Sequence, residues 1–322
     1  MRTIIAEFCQ NHKGDLNLLK EMVWAAAEAG AAYAKVQSML ADELTYRERF
    51  ELGAWEGERM LAIQRPYQPE YDRLKPMDLS DEAHFLFGEE CKKAGIKPLT
   101  TLFTRARLPF VANLGWDAVK VASYDCASYP LIRELRAEVE KGSFKHLFIS
   151  TGATYDEEIA TTADILEGTS YSFLHAVTIY PTPLAELHLG RMRFLQKFTP
   201  SVGLSDHTLV ERDGIQASIV AMCLGADVIE RHFTLLGKDE TKDGLVSIRP
   251  EELKALVQFS RLDSDELQEY VEREIPAWVQ MVGLEQRLLS PVEELNRDYY
   301  RGRFASRVND EVVYNWEDRP VV

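Results

Sequence analysis

Two histidines close short apolar runs. Ser201-Val202-Gly203-Leu204 leads into Ser205-Asp206-His207-Thr208, and Val228-Ile229 leads into Glu230-Arg231-His232-Phe233-Thr234. Neighbouring strands lie about 4.8 Å apart, so two imidazoles facing the same way there can share one ion. With Glu7, at the end of the first apolar run, and waters, they make a mixed nitrogen and oxygen set suited to Mn2+ or a similar divalent metal. Two unrelated polar loop residues are the alternative, and no HExxH or cysteine cluster supports the ion. Lys35 and Lys120 sit inside otherwise apolar runs. A buried ammonium needs an anionic partner. A substrate phosphate or carboxylate would serve, with hydroxyls from Thr101, Ser123, Ser150 and Ser205. An internal salt bridge to a carboxylate is the other reading. The Ser150-Thr151-Gly152 turn can offer backbone N–H groups to an anion.

These residues need a scaffold that gathers the ends of many strands. Strand-like runs alternate with helix-like stretches for most of the chain: Thr3 to Phe8, Ala32 to Gln37, Lys97 to Phe103, Ala118 to Ala122, His146 to Ser150, Tyr171 to Ala176, Ser201 to Leu204 and Val228 to His232. Alternation requires parallel strands with helical crossovers. Eight units predict an α/β fold, a (β/α)8 TIM barrel over residues 1–261, with its working residues at the C-terminal strand ends. The rival, a doubly wound open sheet, lacks its GxGxxG after the first strand. A long insertion, Ser38 to Met77, is expected to be a functional loop. Its Trp55, Tyr67 and Tyr71 either line a sugar site or anchor the loop. Residues 262–322 read as a short helical and irregular extension, not an independent domain. Asp263 to Met281 is expected to form one charged helix. The tail has two candidate packing surfaces, its own barrel and a second copy in a homodimer.

Composition narrows the partners. The 322 residues are 46% hydrophobic with a net charge of -15, enough for a large core and unfavourable for nucleic acid or an anionic membrane. Four scattered cysteines, Cys9, Cys91, Cys126 and Cys223, without metal-knuckle spacing suit a reducing cytosol. With neither a signal-like stretch nor a membrane span, the expected location is cytoplasmic. Met192 and Phe194 read as helix packing, His175 as a core histidine, and Glu89-Glu90 and Glu157-Glu158 as solvated helix faces.

Taken in order, several short motifs carry a resemblance. They are Ala6-Glu7 with Asn11-His12-Lys13-Gly14-Asp15, Ala34-Lys35-Val36-Gln37, Lys120-Val121-Ala122-Ser123, Ile149-Ser150-Thr151-Gly152, Leu174-His175, and Ile179-Tyr180-Pro181-Thr182-Pro183. Gly203 to Thr208, followed by Gly225-Ala226 and Val228 to Thr234, is the strongest. Together they resemble the sialic acid synthase family, N-acetylneuraminate synthase with its legionaminate and pseudaminate relatives. The resemblance implies a barrel that condenses phosphoenolpyruvate with an open-chain sugar aldehyde. It implies a divalent metal, Mn2+ with Mg2+ or Co2+ as alternatives, held by His207 and His232. It implies phosphoenolpyruvate contacts from Lys35, Thr101, Lys120, Ser123, Ser150 and Ser205. Glu7, His207, His232 and Asp125 would then be catalytic, and Gln37, Thr178, Tyr180 and Asp243 would face the sugar.

The chain departs from the family pattern at several points. Asp125 stands where the family usually has Glu, Thr178 where it often has Asn, and Thr241-Lys242-Asp243 where it has Gly-Pro-Asp. The family's C-terminal antifreeze-like domain is represented only by a stretch, Glu294 to Arg303, like its linker and first strand. These departures lie on the sugar side and predict an acceptor other than N-acetylmannosamine. Two further readings are the same chemistry on a shorter or non-acylated aldose, and a non-catalytic barrel acting as a binding subunit. Glu7, Lys35, Lys120, His207 and His232 argue against the last.

Overall fold

The computed structural model describes residues 2–321. Its centre is a closed barrel of eight parallel strands: β1 (Thr3–Glu7), β2 (Tyr33–Ser38), β3 (Lys97–Leu102), β4 (Ala118–Val121), β5 (His146–Ser150), β6 (Tyr171–His175), β7 (Val202–Asp206) and β8 (Val228–His232). Each strand pairs with its neighbours in sequence order, and β8 closes on β1. Side chains alternate across each strand. One face, including Ile4, Ala6, Val36, Val119, Ile149, Phe173, Leu204 and Ile229, joins the helices in the main apolar core. The other face fills the barrel. Ile5, Tyr33, Leu99, Ala118, Phe148, Leu174 and Val228 form a separate apolar floor.

Two residues further along, the inward positions of every strand except β6 turn polar: Glu7, Lys35, Thr101, Lys120, Ser150, Ser205 (two after Gly203) and Glu230. The register makes this a layer, since Glu7 lies beside both Lys35 and His232, Thr101 beside Lys120, and Glu230 beside Ser205. The floor is tightly filled at Gly203, where a Cβ would meet the Val228 carbonyl oxygen at 2.1 Å and Leu174 Cδ2 at 2.8 Å. The alternation also sends Asp206 and Arg231 outward. There they form a fully buried ion pair, supported by Arg231 Nη1 to Thr208 Oγ1 (2.9 Å) and Ser218 Oγ to Asp206 Oδ2 (2.6 Å).

Crossover helices follow local signals. Asp15 caps Leu16–Ala29 by accepting from the N–H groups of Asn17 and Leu18, and Gly30, at φ 89°, ends it. The helix that carries Met192 and Phe194 is short, Arg191–Leu195, and both are core residues as expected. The single helix expected over Asp263 to Met281 is instead two, Ser264–Glu274 and Trp278–Val282. Pro276 explains the break, since it cannot continue the hydrogen-bond ladder and drives Ile275 out of helical geometry.

The insertion holds a small hairpin (Ala54–Glu56 and Arg59–Ala62) and a helix (Tyr67–Leu74). Tyr67 stacks on Tyr71 and packs with Met39, Leu44, Leu74 and Phe304, whereas Trp55 is exposed. The tail continues as a helix, Pro291–Tyr300, and a hairpin, Ser306–Val308 with Glu311–Val313. It packs on its own barrel. Asn296 donates to the Thr178 carbonyl (2.6 Å), and Arg297 bonds the Ala153 carbonyl (2.6 Å) and Glu158 (2.5 Å). Glu158, expected on a solvated face, therefore anchors the tail. All four cysteines are free thiols, and no helix among the described residues is long and apolar enough to cross a membrane.

Candidate active site

The polar layer opens into a cavity of about 480 Å3 at the C-terminal strand ends. Its deepest part is an ionic lattice. Lys35 Nζ pairs with Glu7 Oε2 and lies 2.7 Å from Glu230 Oε2. Lys120 Nζ donates to Ser150 Oγ at 2.6 Å and lies 3.4 Å from Glu230 Oε1, which also accepts from Ser205 Oγ at 2.7 Å. Every charged side chain here is at most 5% exposed. Burial opposes the charge of Glu230, but Lys120 and Lys35 overcome it and hold its carboxyl far below the usual range. Burial lowers Lys120 to about 8, with Lys35 adding to the fall and Glu230 resisting it. Burial would also lower Lys35, but Glu230 and Glu7 reverse this and raise it. The internal salt bridge and the open face toward a ligand thus coexist: Glu230 and Glu7 keep the lysines charged, and both ammonium groups line the cavity.

Glu230 was not among the residues singled out for a role. The signal was there, since Glu230 and His232 occupy alternate positions on one strand, as Lys35 and Gln37 do on another.

Above the lattice stand the two histidines, with ring centroids 5.4 Å apart. His207 is 5% exposed and His232 is 8% exposed, and each has a buried Nδ1 without a hydrogen-bond partner. Burial, and then His232, holds His207 well below its ordinary range, so its imidazole is neutral with a lone pair to share. Ligand atoms of Cys9, His232 and Asp243 lie within 4.8 Å of one another, and Cys9 Sγ is 3.0 Å from Asp243 Oδ2. This donor set fits a divalent ion. Glu7, expected beside the histidines, is committed elsewhere: Oε2 to Lys35 and Oε1 to the Cys9 N–H at 2.6 Å. Cys9 was read only as a scattered thiol. It sits at φ 47°, a backbone conformation uncommon outside glycine, which places its thiol in the cavity.

Of the remaining expected residues, Thr101, Ser123, Gln37, Tyr180 and Asp125 also line the cavity. Ser123 Oγ accepts from the Gly152 N–H at 3.2 Å, and a Cβ at Gly152 would lie 2.9 Å from that same oxygen. Asp125 is tethered, its Oδ1 accepting from Ser128 Oγ and from Asn315 Nδ2, each at 2.9 Å. Thr178 does not line the cavity. It is 1% exposed, packed behind Gly152, and meets the tail through its carbonyl. The aromatic residues of the insertion stay out of the cavity as well. Met39, Arg65 and Arg73 come from that segment instead, and Val292, Asn296, Tyr300, Gly302, Arg303 and Phe304 come from the tail. These walls were invisible in the sequence because they depend on how two long segments fold back over the barrel mouth.

Comparison with known proteins follows the same geometry. The NeuB family model matches residues 22–271. The N,N'-diacetyllegionaminic acid synthase of Legionella pneumophila is 35% identical over 272 residues, covering 80% of this chain and 71% of that protein. A pseudaminic acid synthase of Campylobacter jejuni is 29% identical over 267 residues, covering 80% and 72%. The solved N-acetylneuraminic acid (sialic acid) synthetase of Leptospira borgpetersenii superposes with a TM-score of 0.68 at 25% identity, over 92% of this chain and 90% of that one. The family match takes in every barrel strand from β2 onward, with both buried lysines and both histidines, and the chain belongs to the NeuB family.

Proposed function

We propose that this enzyme condenses phosphoenolpyruvate with an open-chain sugar aldehyde, giving a nonulosonate-like 2-keto-3-deoxy sugar acid and phosphate. The observation that carries the reading is the pair of buried ammonium groups, Lys35 and Lys120, held charged by Glu7 and Glu230 and facing a cavity beneath two unpartnered histidines. C3 of phosphoenolpyruvate forms the new bond to the aldehyde carbon, whose oxygen takes up a proton. Water adds at C2, and the C2–O bond to phosphate breaks. Lys35 and Lys120, with hydroxyls of Thr101, Ser123, Ser150 and Ser205, hold the phosphate and carboxylate, so the enol carbon is oriented before reaction. Glu7 and Glu230 act through the lysines by fixing their charge and position. His207 and His232 would hold a divalent ion, Mn2+ by preference, with Asp243 and Cys9 in reach of His232, and the ion would supply Lewis acidity toward the aldehyde oxygen. Gln37, Tyr180 and Asp243 face the acceptor. Asp125 bounds its pocket, and Thr178 backs the wall.

The legionaminate and pseudaminate synthases among its relatives favour an acceptor other than N-acetylmannosamine, and so does the tethered Asp125. Phosphate release from phosphoenolpyruvate over a panel of aldoses tests both statements. No release with any aldose would refute the condensation. A higher kcat/KM for N-acetylmannosamine than for every other aldose would refute the acceptor assignment.

A further inference from the structure

We infer that Asn315, in the C-terminal tail, is a positioning residue for the acceptor, which fixes the Asp125 carboxylate so that one of its oxygens faces the sugar. The inference rests on the condensation reading and deepens it. Asn315 is 2% exposed and belongs to no barrel element; it follows the hairpin strand Glu311–Val313. Its amide is nonetheless used in full at the barrel mouth. Nδ2 donates to the Phe103 carbonyl at 2.8 Å and to Asp125 Oδ1 at 2.9 Å, and its own Oδ1 accepts the Arg105 N–H at 3.2 Å. Phe103 and Arg105 follow β3, and Asp125 follows β4. One side chain of the tail therefore ties together the segments that leave two neighbouring strands.

These partners fix which way the amide points. A primary amide offers two N–H donors at one end and a carbonyl acceptor at the other, and each end meets its complement. Turned over, its oxygen would face a carbonyl and a carboxylate. The backbone that carries Asn315 is held independently. Ser306 Oγ accepts the Ala106 N–H at 3.0 Å, and Arg105 Nη1 donates to the Glu317 carbonyl at 2.7 Å. Tyr314 and Trp316, on either side of Asn315, stack with ring centroids 4.5 Å apart.

Asp125 receives both of its protein bonds on one oxygen. Ser128 Oγ and Asn315 Nδ2 donate to Oδ1, and among the described residues no protein group donates to Oδ2. Asp125 lines the cavity, so Oδ2 is the oxygen left for a ligand. A sugar hydroxyl or an N-acyl N–H is its complement. Burial raises the Asp125 carboxyl above its ordinary range, and Asn315 and Ser128 hold that rise back, which favours the carboxylate form. Without the amide the carboxylate keeps one tether and can swing, and a hydrogen bond weakens steeply away from its preferred angle. The phosphoenolpyruvate lattice is separate, since Lys35, Lys120, Glu7, Glu230, Ser150 and Ser205 bond one another.

The test separates the acceptor from phosphoenolpyruvate. Phosphate release over the aldose panel gives kcat/KM for the acceptor. Calorimetry gives phosphoenolpyruvate affinity and, with phosphoenolpyruvate bound, the affinity for the panel's alditols, which lack the aldehyde. Asn315→Leu keeps the volume and removes the amide; Asn315→Asp keeps the acceptor for Arg105 and sets a second carboxylate against Asp125. Each should lower acceptor kcat/KM and alditol affinity by about tenfold or more, while phosphoenolpyruvate affinity stays within about twofold of wild type. Asp125→Ala supplies the background that a merely structural role would not pass. There, adding Asn315→Leu should change neither acceptor quantity by more than about twofold, because Asn315 acts through Asp125. The same loss in both backgrounds, loss of phosphoenolpyruvate affinity in both Asn315 variants, or acceptor constants unchanged by either would each overturn the inference. If no aldose reacts, the condensation reading fails and the alditol titrations still decide; a wild type that binds no alditol counts against the inference.

Discussion

Lys120 offers a direct test of how the barrel binds its anion. Its ammonium donates to Ser150 at 2.6 Å and lies 3.4 Å from Glu230, with a side chain 3% exposed. Lys120→Met keeps the length of the side chain and removes the charge, while Glu230 retains Lys35 and Ser205. A hydrogen bond to a charged group contributes roughly 1.5–3 kcal/mol, so phosphoenolpyruvate affinity should fall by about tenfold to about 150-fold. The pH dependence gives an independent signature. Burial lowers Lys120 to about 8, so the ammonium is present below that pH and lost above it. Affinity should therefore be level through pH 7 and fall about tenfold per unit above 8. Lys120→Arg keeps its charge across that range, so the alkaline limb should disappear even if affinity is lower. The assay is calorimetric titration with phosphoenolpyruvate from pH 6.5 to 9.5, beside phosphate release. Removing Lys120 leaves the buried carboxylates of Glu7 and Glu230 sharing one ammonium, so the Met variant should melt lower than the wild type, and titration at temperatures where its circular dichroism matches the wild type separates lost binding from lost folding. Affinity within twofold of wild type in Lys120→Met, or a flat wild-type profile to pH 9.5, would refute the reasoning.

Further outcomes follow from other parts of the site and core. His207→Ala and His232→Ala should each remove bound Mn2+ and turnover together, read by elemental analysis and phosphate release; full activity in chelator-treated, metal-free protein would contradict this. Cys9→Ser should weaken Co2+ binding and remove any thiolate charge-transfer band of the Co2+ form, and an unchanged spectrum would exclude the thiol as a ligand. Arg231→Met leaves Asp206 as an unpaired buried charge and should lower unfolding stability by about 3–5 kcal/mol in urea titrations, more than the double change with Asp206→Leu. His12 and His146 are lowered to about 4 and His175 to about 3, chiefly by burial. Each stays neutral in the fold while the unfolded chain takes up a proton. Their stabilising contribution is therefore complete above about pH 6.5 and is lost as pH falls toward 4, by up to about 1.4 kcal/mol per unit for each histidine. His175→Asn should flatten that slope.

Much of this enzyme was legible before folding because a barrel strand has a period of two. Lys35 and Gln37 share a face by spacing alone, as do Glu230 and His232, and a charged residue inside an apolar strand points to a partnered site. Eight strand-helix alternations define the barrel because parallel strands need crossovers and this count closes the sheet. Local sequence also fixed helix ends at Asp15 and Gly30. It could equally have shown the break at Pro276.

Only tertiary structure decided the partners across the barrel. Sequence offered Lys35 and Lys120 either a substrate anion or an internal carboxylate, and the register of β8 beside β1 and β7 makes Glu230 and Glu7 their counter-charges while leaving the cavity face open. Thr178 looked equivalent to Tyr180 in sequence, yet close packing on Gly152 puts it behind the wall. The insertion suggested aromatic contacts, but Tyr67 and Tyr71 face its own small core, and Arg65 and Arg73 turn inward. Asn315 reaches Asp125 across 190 positions of sequence. Periodicity records which face of an element a residue occupies, because that is set by bonded geometry within a few residues. Which segment covers that face is set by long-range packing, and no local spacing encodes it.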